Sequence, residues 1–182
     1  MRMMLDANVL YPTVMREVLI GCAAAGLYEP RWSERVLEEW ARAAAKLGPE
    51  GELIARGEIA VLKARFPRAE TPVPPELLRQ YRLPDPDDVH VLAAAVVSSC
   101  DAIVTMNAKD FPRGLLAEEG LERIDPDGFL LRLQGEAPDQ VRGVAENVLV
   151  EARRLSGDDW TMRTLMKKAR LPRLGKRLAF RD

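Results

Sequence analysis

The sequence predicts an α/β protein in which a parallel sheet is flanked by helices and followed by a C-terminal helical extension. Two short apolar runs, MRMML at residues 1–5 and AIVT at residues 102–105, lead into or end in polar residues, as buried parallel strands do. Segments with helical spacing alternate with these strands, which favours parallel pairing. We therefore expect a sheet domain over residues 1–134 and a helical extension over residues 135–182.

The first half of the chain predicts one strand and three main helices. Pro12 stands where a helix can begin, and VMREVLIGCAAAGL has apolar residues at helical spacing until Gly26. Ser33 is a candidate N-cap for ERVLEEWARAAAKL, which Gly48 and Pro49 end. GELIARGEIAVLKARF predicts a third helix, and a proline-rich connection that contains a short helix follows it.

The second half predicts the clearest strand and most of the remaining helices. DVHVLAAAVVSSC, from Asp88, predicts a strongly apolar helix. AIVT has two β-branched apolar residues in its middle, and MNAKDFPRG is its exit loop. LLAEEG and LERI predict a short helix and another strand. In the extension, PDQVRGVAENVLVEARRL and WTMRTLMKKARL predict two helices with a basic tail after them.

The distribution of charged residues, cysteines, apolar runs and the single histidine limits which class of protein this can be. The 27 basic and 28 acidic residues nearly cancel, but residues 163–181 contain eight basic residues and no acidic one. Cys22 and Cys100 lie in Ala-rich surroundings, which fits reduced core thiols. Because no signal peptide or membrane-spanning run is apparent, we expect a cytoplasmic protein. His90 lacks a second His or Cys for a zinc site, and we interpret it as a surface or capping residue.

Acidic and amide residues fall at comparable places along the predicted fold. Asp6 ends the first strand, Asp88 starts the apolar helix, and Asn107 with Asp110 follows the AIVT strand. Ligands of parallel sheets bind in a crevice beyond the carboxyl ends of the strands. We therefore expect the sheet topology to place these side chains around one such crevice. Glu39 lies more than a turn inside its helix, and only tertiary packing could bring it there. Simple capping of the next helix is an alternative role for Asp6.

Several carboxylates in one crevice repel one another unless a cation neutralises them. Hard oxygen ligands suit Mg²⁺ or Mn²⁺. Such an ion can generate hydroxide and stabilise the leaving oxygen of a phosphodiester, and this chemistry needs no His, Cys or Ser nucleophile. The alternative is that these residues are solvated helix-start carboxylates. Spacing alone leaves both interpretations open.

Four fragments, LDANVL, WSERVLEEW, LPDPDDVHVLAAA and CDAIVTMNAKDFP, follow the order and approximate spacing of the PIN-domain ribonucleases. The resemblance covers roughly residues 2–130 and is closest to the VapC-like toxins of toxin–antitoxin systems. It implies a PIN-like, Rossmann-like fold and a Mg²⁺- or Mn²⁺-dependent endoribonuclease that cleaves RNA. It also implies a cognate antitoxin protein that silences the nuclease, and a homodimer, since relatives are often dimers.

The resemblance assigns roles to individual positions. It makes Asp6, Glu39 and Asp88 acidic ligands, with Glu38 as the alternative to Glu39. Many relatives have an aspartate as the fourth acidic residue where this chain has Asn107. The fourth position is therefore filled either by Asn107, whose neutral amide ligates more weakly, or by Asp110, which can supply the missing carboxylate. Supporting residues are Asn8, Asp85 and Thr105. From the charge pattern, we expect the basic tail to contact RNA through Lys167, Lys168, Arg173, Lys176 and Arg177.

Other classes of protein are weaker alternatives. The main one is a catalytically lapsed PIN fold that binds RNA or protein, because Asn107 removes one charge from the cluster. A phospho-receiver domain would need paired acidic residues near the first strand and a phosphoacceptor aspartate ending a central one. A haloacid-dehalogenase phosphatase would need aspartate at position 8. A dinucleotide-binding domain would need a G-x-G-x-x-G turn after the first strand.

Overall fold

The computed structural model describes residues 1–179, which form four strands and eleven α-helices. The strands are β1 (Arg2–Leu5), β2 (Glu29–Arg31), β3 (Ala102–Val104) and β4 (Glu122–Ile124). The helices are α1 (Ala7–Leu10), α2 (Thr13–Ala24), α3 (Glu34–Ala44), α4 (Gly51–Arg65), α5 (Pro75–Leu78), α6 (Val89–Val97), α7 (Arg113–Glu118), α8 (Pro126–Glu136), α9 (Pro138–Ser156), α10 (Met162–Lys168) and α11 (Pro172–Ala179). Short 3₁₀ helices span Ala45–Leu47 and Pro86–Asp88.

The chain forms two compact units. The first unit comprises Met1–Tyr11 and Glu29–Ile124, and it contains the whole sheet. The second unit comprises Pro12–Tyr28 and the described part of Asp125–Asp182, and its regular elements are all helical. The predicted boundary between residues 134 and 135 lies inside α8 and stays a prediction.

The sheet is parallel throughout, with the strand order β2-β1-β3-β4. Met4 is in register with Arg31 on one side and with Ile103 on the other. The two central strands, β1 and β3, are buried along most of their length, which explains their continuous apolar runs. The predicted α/β class, with a parallel sheet, flanking helices and C-terminal helices, is confirmed.

The edge strand β2 was not predicted. Its three residues, Glu29, Pro30 and Arg31, form no apolar run, and proline is rare in central strands. At a sheet edge a proline is tolerated, because one side of the strand has no partner to which it must donate.

By contrast, the predicted helix start at Ser33 is confirmed, since the Ser33 hydroxyl accepts a 3.2 Å hydrogen bond from the amide of Val36.

The second unit contains two helices that the sequence analysis missed. Asp125 caps α8 by accepting a 2.8 Å hydrogen bond from the amide of Gly128. The segment predicted as a basic tail forms α11, which buries Leu174 and Leu178. The carboxylate of Asp127 receives the amide protons of Arg173 and Leu174 at 2.9 Å each, and so caps α11 from a distant part of the chain. Arg181, the last basic residue of the predicted tail, lies outside the described residues.

Two simpler expectations can be compared directly with the structure. Cys22 and Cys100 are both free and buried, as predicted. Of the helices in residues 1–179, none is long and apolar enough to cross a membrane.

Candidate metal centre

Asp6 stands at the end of central strand β1, and its side chain is only 4% exposed. Its Oδ1 accepts a 2.7 Å hydrogen bond from the amide of Ala7, so the carboxylate does cap α1, as the alternative interpretation proposed. Its Oδ2 accepts from the Asn8 amide at 2.5 Å and from the Thr105 hydroxyl at 2.7 Å. Capping therefore uses one oxygen of Asp6, while the other joins a wider network.

The network centres on Thr105, directly after strand β3. Its hydroxyl donates to Asp6 and accepts from the side chain of Asn8 at 3.0 Å and from the amide of Asn107 at 2.9 Å. The Asn8 carbonyl accepts in turn from the amide of Met106 at 3.0 Å. Since β1 and β3 are adjacent and parallel, these contacts tie the two strand ends together. The predicted supporting residues Asn8 and Thr105 thus meet Asp6.

Three further carboxylates converge beside this network. Asp85, Asp88 and Asp110 each present an oxygen within 4.8 Å of the others. Asp88 occupies the N-cap position of α6, yet its side chain makes no capping hydrogen bond. Asp85 instead caps the 3₁₀ turn that carries Asp88 by accepting from the amide of Asp87 at 2.9 Å. The capping explanation therefore does not account for Asp88.

Asn107 and Asp110, the two candidates for the fourth acidic residue, both lie on the loop after β3. The Asn107 amide donates to Asp88 at 3.4 Å and also to Asp110. Arg123 on β4 holds the loop by donating to the backbone carbonyls of Ala108 and Phe111. Asn107 thus bridges two carboxylates as a neutral donor, and Asp110 brings its charge to the group.

Burial and mutual repulsion shift the pKa values of two acidic residues at this site, Asp6 and Asp88. Burial raises the pKa of Asp6, and hydrogen bonds from Thr105 and Ala7 oppose the rise. The pKa of Asp88 is raised to about 6, first by burial and then by the charges of Asp6 and its other acidic neighbours, Asp85, Asp110 and Glu39. A cation bound among these groups would relieve the repulsion.

Glu39 approaches the site from α3, but it is not one of the three converging carboxylates. Its Oε1 lies 3.0 Å from Nε of Arg35 and 3.1 Å from Nε2 of His90. Burial acts to raise the pKa of Glu39, but hydrogen bonds and charge from His90 and Arg35 outweigh it and hold this pKa below its usual value. The alternative residue, Glu38, forms ion pairs with Arg42 and Arg56 instead.

The interpretation of His90 as a surface or capping residue was wrong. Its side chain is 3% exposed and lies between Ser33 and Glu39. Those partners are distant in sequence, so no local pattern around His90 could have identified them. Asp85, which was predicted as a supporting residue, lies in the acidic group itself, and DPDD places it three residues before Asp88.

The basic residues expected to contact RNA lie on α10 and α11 of the second unit. Several of them make contacts within the second unit: Arg173 pairs with Asp127 at 3.1 Å and with Asp125 at 2.6 Å. Lys168 lies over the ring of Trp160, 4.8 Å from its centroid, and Arg177 donates to Gln134. The exposed basic residues here are Arg163, Lys167, Lys168, Arg170, Arg173, Lys176 and Arg177.

The donor set suits a hard divalent ion. Three carboxylates close enough to share an ion, with oxygen as the donor atom, match the preferences of Mg²⁺ and Mn²⁺ rather than those of zinc. A nearby cation would offset the burial and the repulsion that raise the pKa of Asp88.

Comparison with known proteins identifies the family. A family model described as the PIN domain matches residues 2–109, which is more than half of the chain and includes Asp6, Glu39, Asp85, Asp88 and Asn107. No curated protein and no solved structure matches the chain significantly. The matched region contains all four strand-end and helix-start segments on which the resemblance depends, apart from the last residues of the β3 exit loop. The chain therefore belongs to the PIN-domain family.

Proposed function

We propose that this protein is a Mg²⁺- or Mn²⁺-dependent endoribonuclease that acts on single-stranded or loop RNA. PIN domains are typically metal-dependent nucleases, and this chain has an acidic cluster in its PIN domain. The observation that carries the proposal is the convergence of Asp85, Asp88 and Asp110, because three carboxylates at this separation repel one another without a cation.

Each acidic residue has a distinct part in this proposal. Asp88 and Asp110 would hold the ion together with Asp6 and Glu39, and Asp85 would add a further oxygen. A bound divalent ion supplies an activated water and stabilises charge on the leaving oxygen. The Thr105 hydroxyl and the Asn8 amide keep Oδ2 of Asp6 in place. Asn107 donates to Asp88 and Asp110 and so supports their negative charge without adding to it.

The basic residues of α10 and α11 are proposed to contact the RNA backbone. Lys and Arg side chains bind phosphates largely without regard to base sequence. Arg173 already pairs with Asp125 and Asp127 in the second unit, so its first role is to hold α11 in place. The proposed phosphate contacts therefore depend mainly on Lys167, Lys168, Lys176 and Arg177.

A toxin role, with an antitoxin partner and a homodimer, rests on the sequence resemblance to VapC-like proteins. A neighbouring gene for a small DNA-binding protein would support it. Co-expression of the two chains should then yield a stable complex that lacks nuclease activity. Size-exclusion chromatography with light scattering would report the oligomeric state of the chain alone.

The test of the proposed activity is cleavage of a labelled single-stranded RNA. Cleavage should require Mg²⁺ or Mn²⁺, stop with excess chelator, and leave 5′-phosphate and 3′-hydroxyl ends. Persistence of cleavage in chelator, or 2′,3′-cyclic phosphate products, would contradict the metal-dependent mechanism. RNA binding without cleavage would instead support the alternative, a lapsed PIN fold that has become a binding module.

A further inference from the structure

His90 links the start of α3 to a glutamate two turns further along the same helix. Its Nδ1 lies 3.1 Å from the Ser33 hydroxyl, and its Nε2 lies 3.1 Å from Oε1 of Glu39. Both Ser33 and His90 are almost fully buried, at 4% and 3% exposed. The imidazole is thus held inside the protein by a hydrogen bond at Nδ1, while its buried Nε2 has no well-aligned hydrogen bond within residues 1–179 and lies at ion-pair distance from Glu39.

The partners determine which nitrogen of the neutral ring carries the proton. A carboxylate oxygen only accepts hydrogen bonds, so the proton of the neutral ring lies on Nε2, which faces Oε1 of Glu39 at ion-pair distance. In the neutral ring, Nδ1 is then an acceptor, and the Ser33 hydroxyl donates to it. The Ser33 oxygen remains free to accept the amide proton of Val36, as the N-cap of α3 requires. Every hydrogen bond in this chain of contacts is therefore consistent with one arrangement of protons.

This chain of contacts is not a hydrolase triad, although it contains a serine, a histidine and a glutamate. Ser33 is buried and its oxygen accepts from Val36, so substrate cannot reach it as a nucleophile. The solvent-exposed end of this series of contacts is Glu39, whose side chain is 35% exposed. These contacts therefore orient the carboxylate of Glu39 and do not activate Ser33 as a nucleophile.

The two donors to Glu39 meet the same oxygen. Arg35 and His90 both contact Oε1, and within residues 1–179 no donor contacts Oε2. Arg35 is 48% exposed and also pairs with Asp87 at 2.9 Å, so its contact is a surface one. His90, by contrast, is held by packing. Of the two, His90 is the partner that can fix the direction of the carboxylate.

We infer that His90 is a positioning residue that holds Oε1 of Glu39 so that Oε2 faces the acidic cluster as a ligand. This inference rests on the proposed metal-dependent function. It explains how a glutamate inside a helix, which is not one of the three converging carboxylates, can still serve the site. Outer partners that orient a ligand typically change metal affinity 10–100-fold when they are removed.

The experiment compares two substitutions that are both polar. The amide of His90→Gln can reach the position of Nε2 and donate to Glu39, whereas the shorter side chain of His90→Asn can reach only toward Ser33. Mn²⁺ affinity of the full chain, measured by isothermal titration calorimetry without RNA, is the readout. We expect His90→Asn to weaken Mn²⁺ binding at least 10-fold and His90→Gln to retain most of the affinity.

Leu121→Ala is the control for loss of stability, because Leu121 is buried in the same unit outside the site. It should lower the melting temperature and leave Mn²⁺ affinity unchanged. Equal affinities of wild type, His90→Asn and His90→Gln would overturn the inference while leaving the proposed function intact. Equal losses in His90→Asn and His90→Gln would also overturn it. Failure of the wild-type chain to bind Mn²⁺ would overturn the proposed function itself.

Discussion

The hydroxyl of Thr105 donates a 2.7 Å hydrogen bond to Asp6, joining residues that are 99 positions apart in the chain. The bond lies where the adjacent parallel strands β1 and β3 end, and both residues are buried. A buried carboxylate is costly unless its oxygens accept hydrogen bonds. Thr105 therefore contributes to the stability of the fold as well as to the geometry of the site.

Thr105→Val should destabilise the protein and impair the site together. Valine has nearly the shape of threonine but removes one of the two donors to Oδ2 of Asp6 and the side-chain acceptor of the Asn107 amide. We expect a loss of about 1–3 kcal/mol in the free energy of unfolding, measured by urea denaturation. Thr105→Ser keeps the hydroxyl and should lose much less. Equal losses for the two variants would show that packing, not hydrogen bonding, is the contribution of Thr105.

Asp88→Asn should abolish metal-dependent cleavage while preserving the fold. Its side chain caps no helix, and neutral asparagine removes repulsion from the acidic neighbours. Without metal, the variant should melt about 2–4 °C higher, as expected for about 1 kcal/mol after a discount for solvent screening. Mn²⁺ should raise the melting temperature of wild type and not of the variant. Unfolding of the variant would show that Asp88 has a structural role.

The stability of the metal-free protein should depend on pH through Asp88. Because its pKa is raised to about 6, the folded state holds this proton more tightly than the unfolded chain. The destabilisation of the folded state by ionised Asp88 is therefore present above pH 6 and decreases as the pH falls toward 4. The advantage of Asp88→Asn in urea unfolding should shrink between pH 7 and pH 5. A constant difference across this range would contradict the shifted pKa.

Asp127→Ala should destabilise the second unit more than a surface substitution does. Asp127 is buried and accepts from two backbone amides and from the guanidinium of Arg173. Loss of these charge-assisted bonds should cost about 2–3 kcal/mol in the free energy of unfolding. Asp139→Ala, a change of the same charge at the start of α9, is the control and should fall within about 0.5 kcal/mol of wild type.

Removal of Lys167 and Lys168 should weaken RNA binding and flatten its salt dependence. Each lost phosphate contact should reduce the slope of log K against log salt by roughly 0.7, or about 1.4 for the double alanine variant. The control is a Lys46→Ala, Arg154→Ala double variant, which makes the same change in net charge on other helices. Equal slopes in all three proteins would assign the α10 lysines to solubility.

Much of the site could be predicted because its residues follow local patterns. An apolar run that ends in Asp6, and another that ends in Thr105, are visible in sequence, and parallel topology brings their ends together. Asp88 and Asp110 stand beside a helix start and a strand exit in the same way. The convergence of Asp85, Asp88 and Asp110 fits this reasoning.

The rest depends on packing between distant segments. Glu39 lies within α3, and only the family resemblance assigns it to the site. The partners of His90 lie on that same helix and its cap, far from the Asp-rich segment that suggested a surface residue. Helix α8 was not predicted, although Asp125 and Pro126 form a standard helix start, because the apolar residues of PDGFLLRLQGE do not form a clear stripe at helical spacing.

The parallel pairing of β1 with β3 also sets an order of events during synthesis. Asp6 leaves the ribosome about a hundred residues before its partner Thr105 and the loop carrying Asp110. Because chains emerge from the N-terminus onward, a growing chain that ends before β3 has one half of the acidic centre and nothing to pair with it. A fragment released early by a stalled ribosome would therefore lack Thr105 and Asp110, and the acidic centre would be complete only once the central sheet had closed.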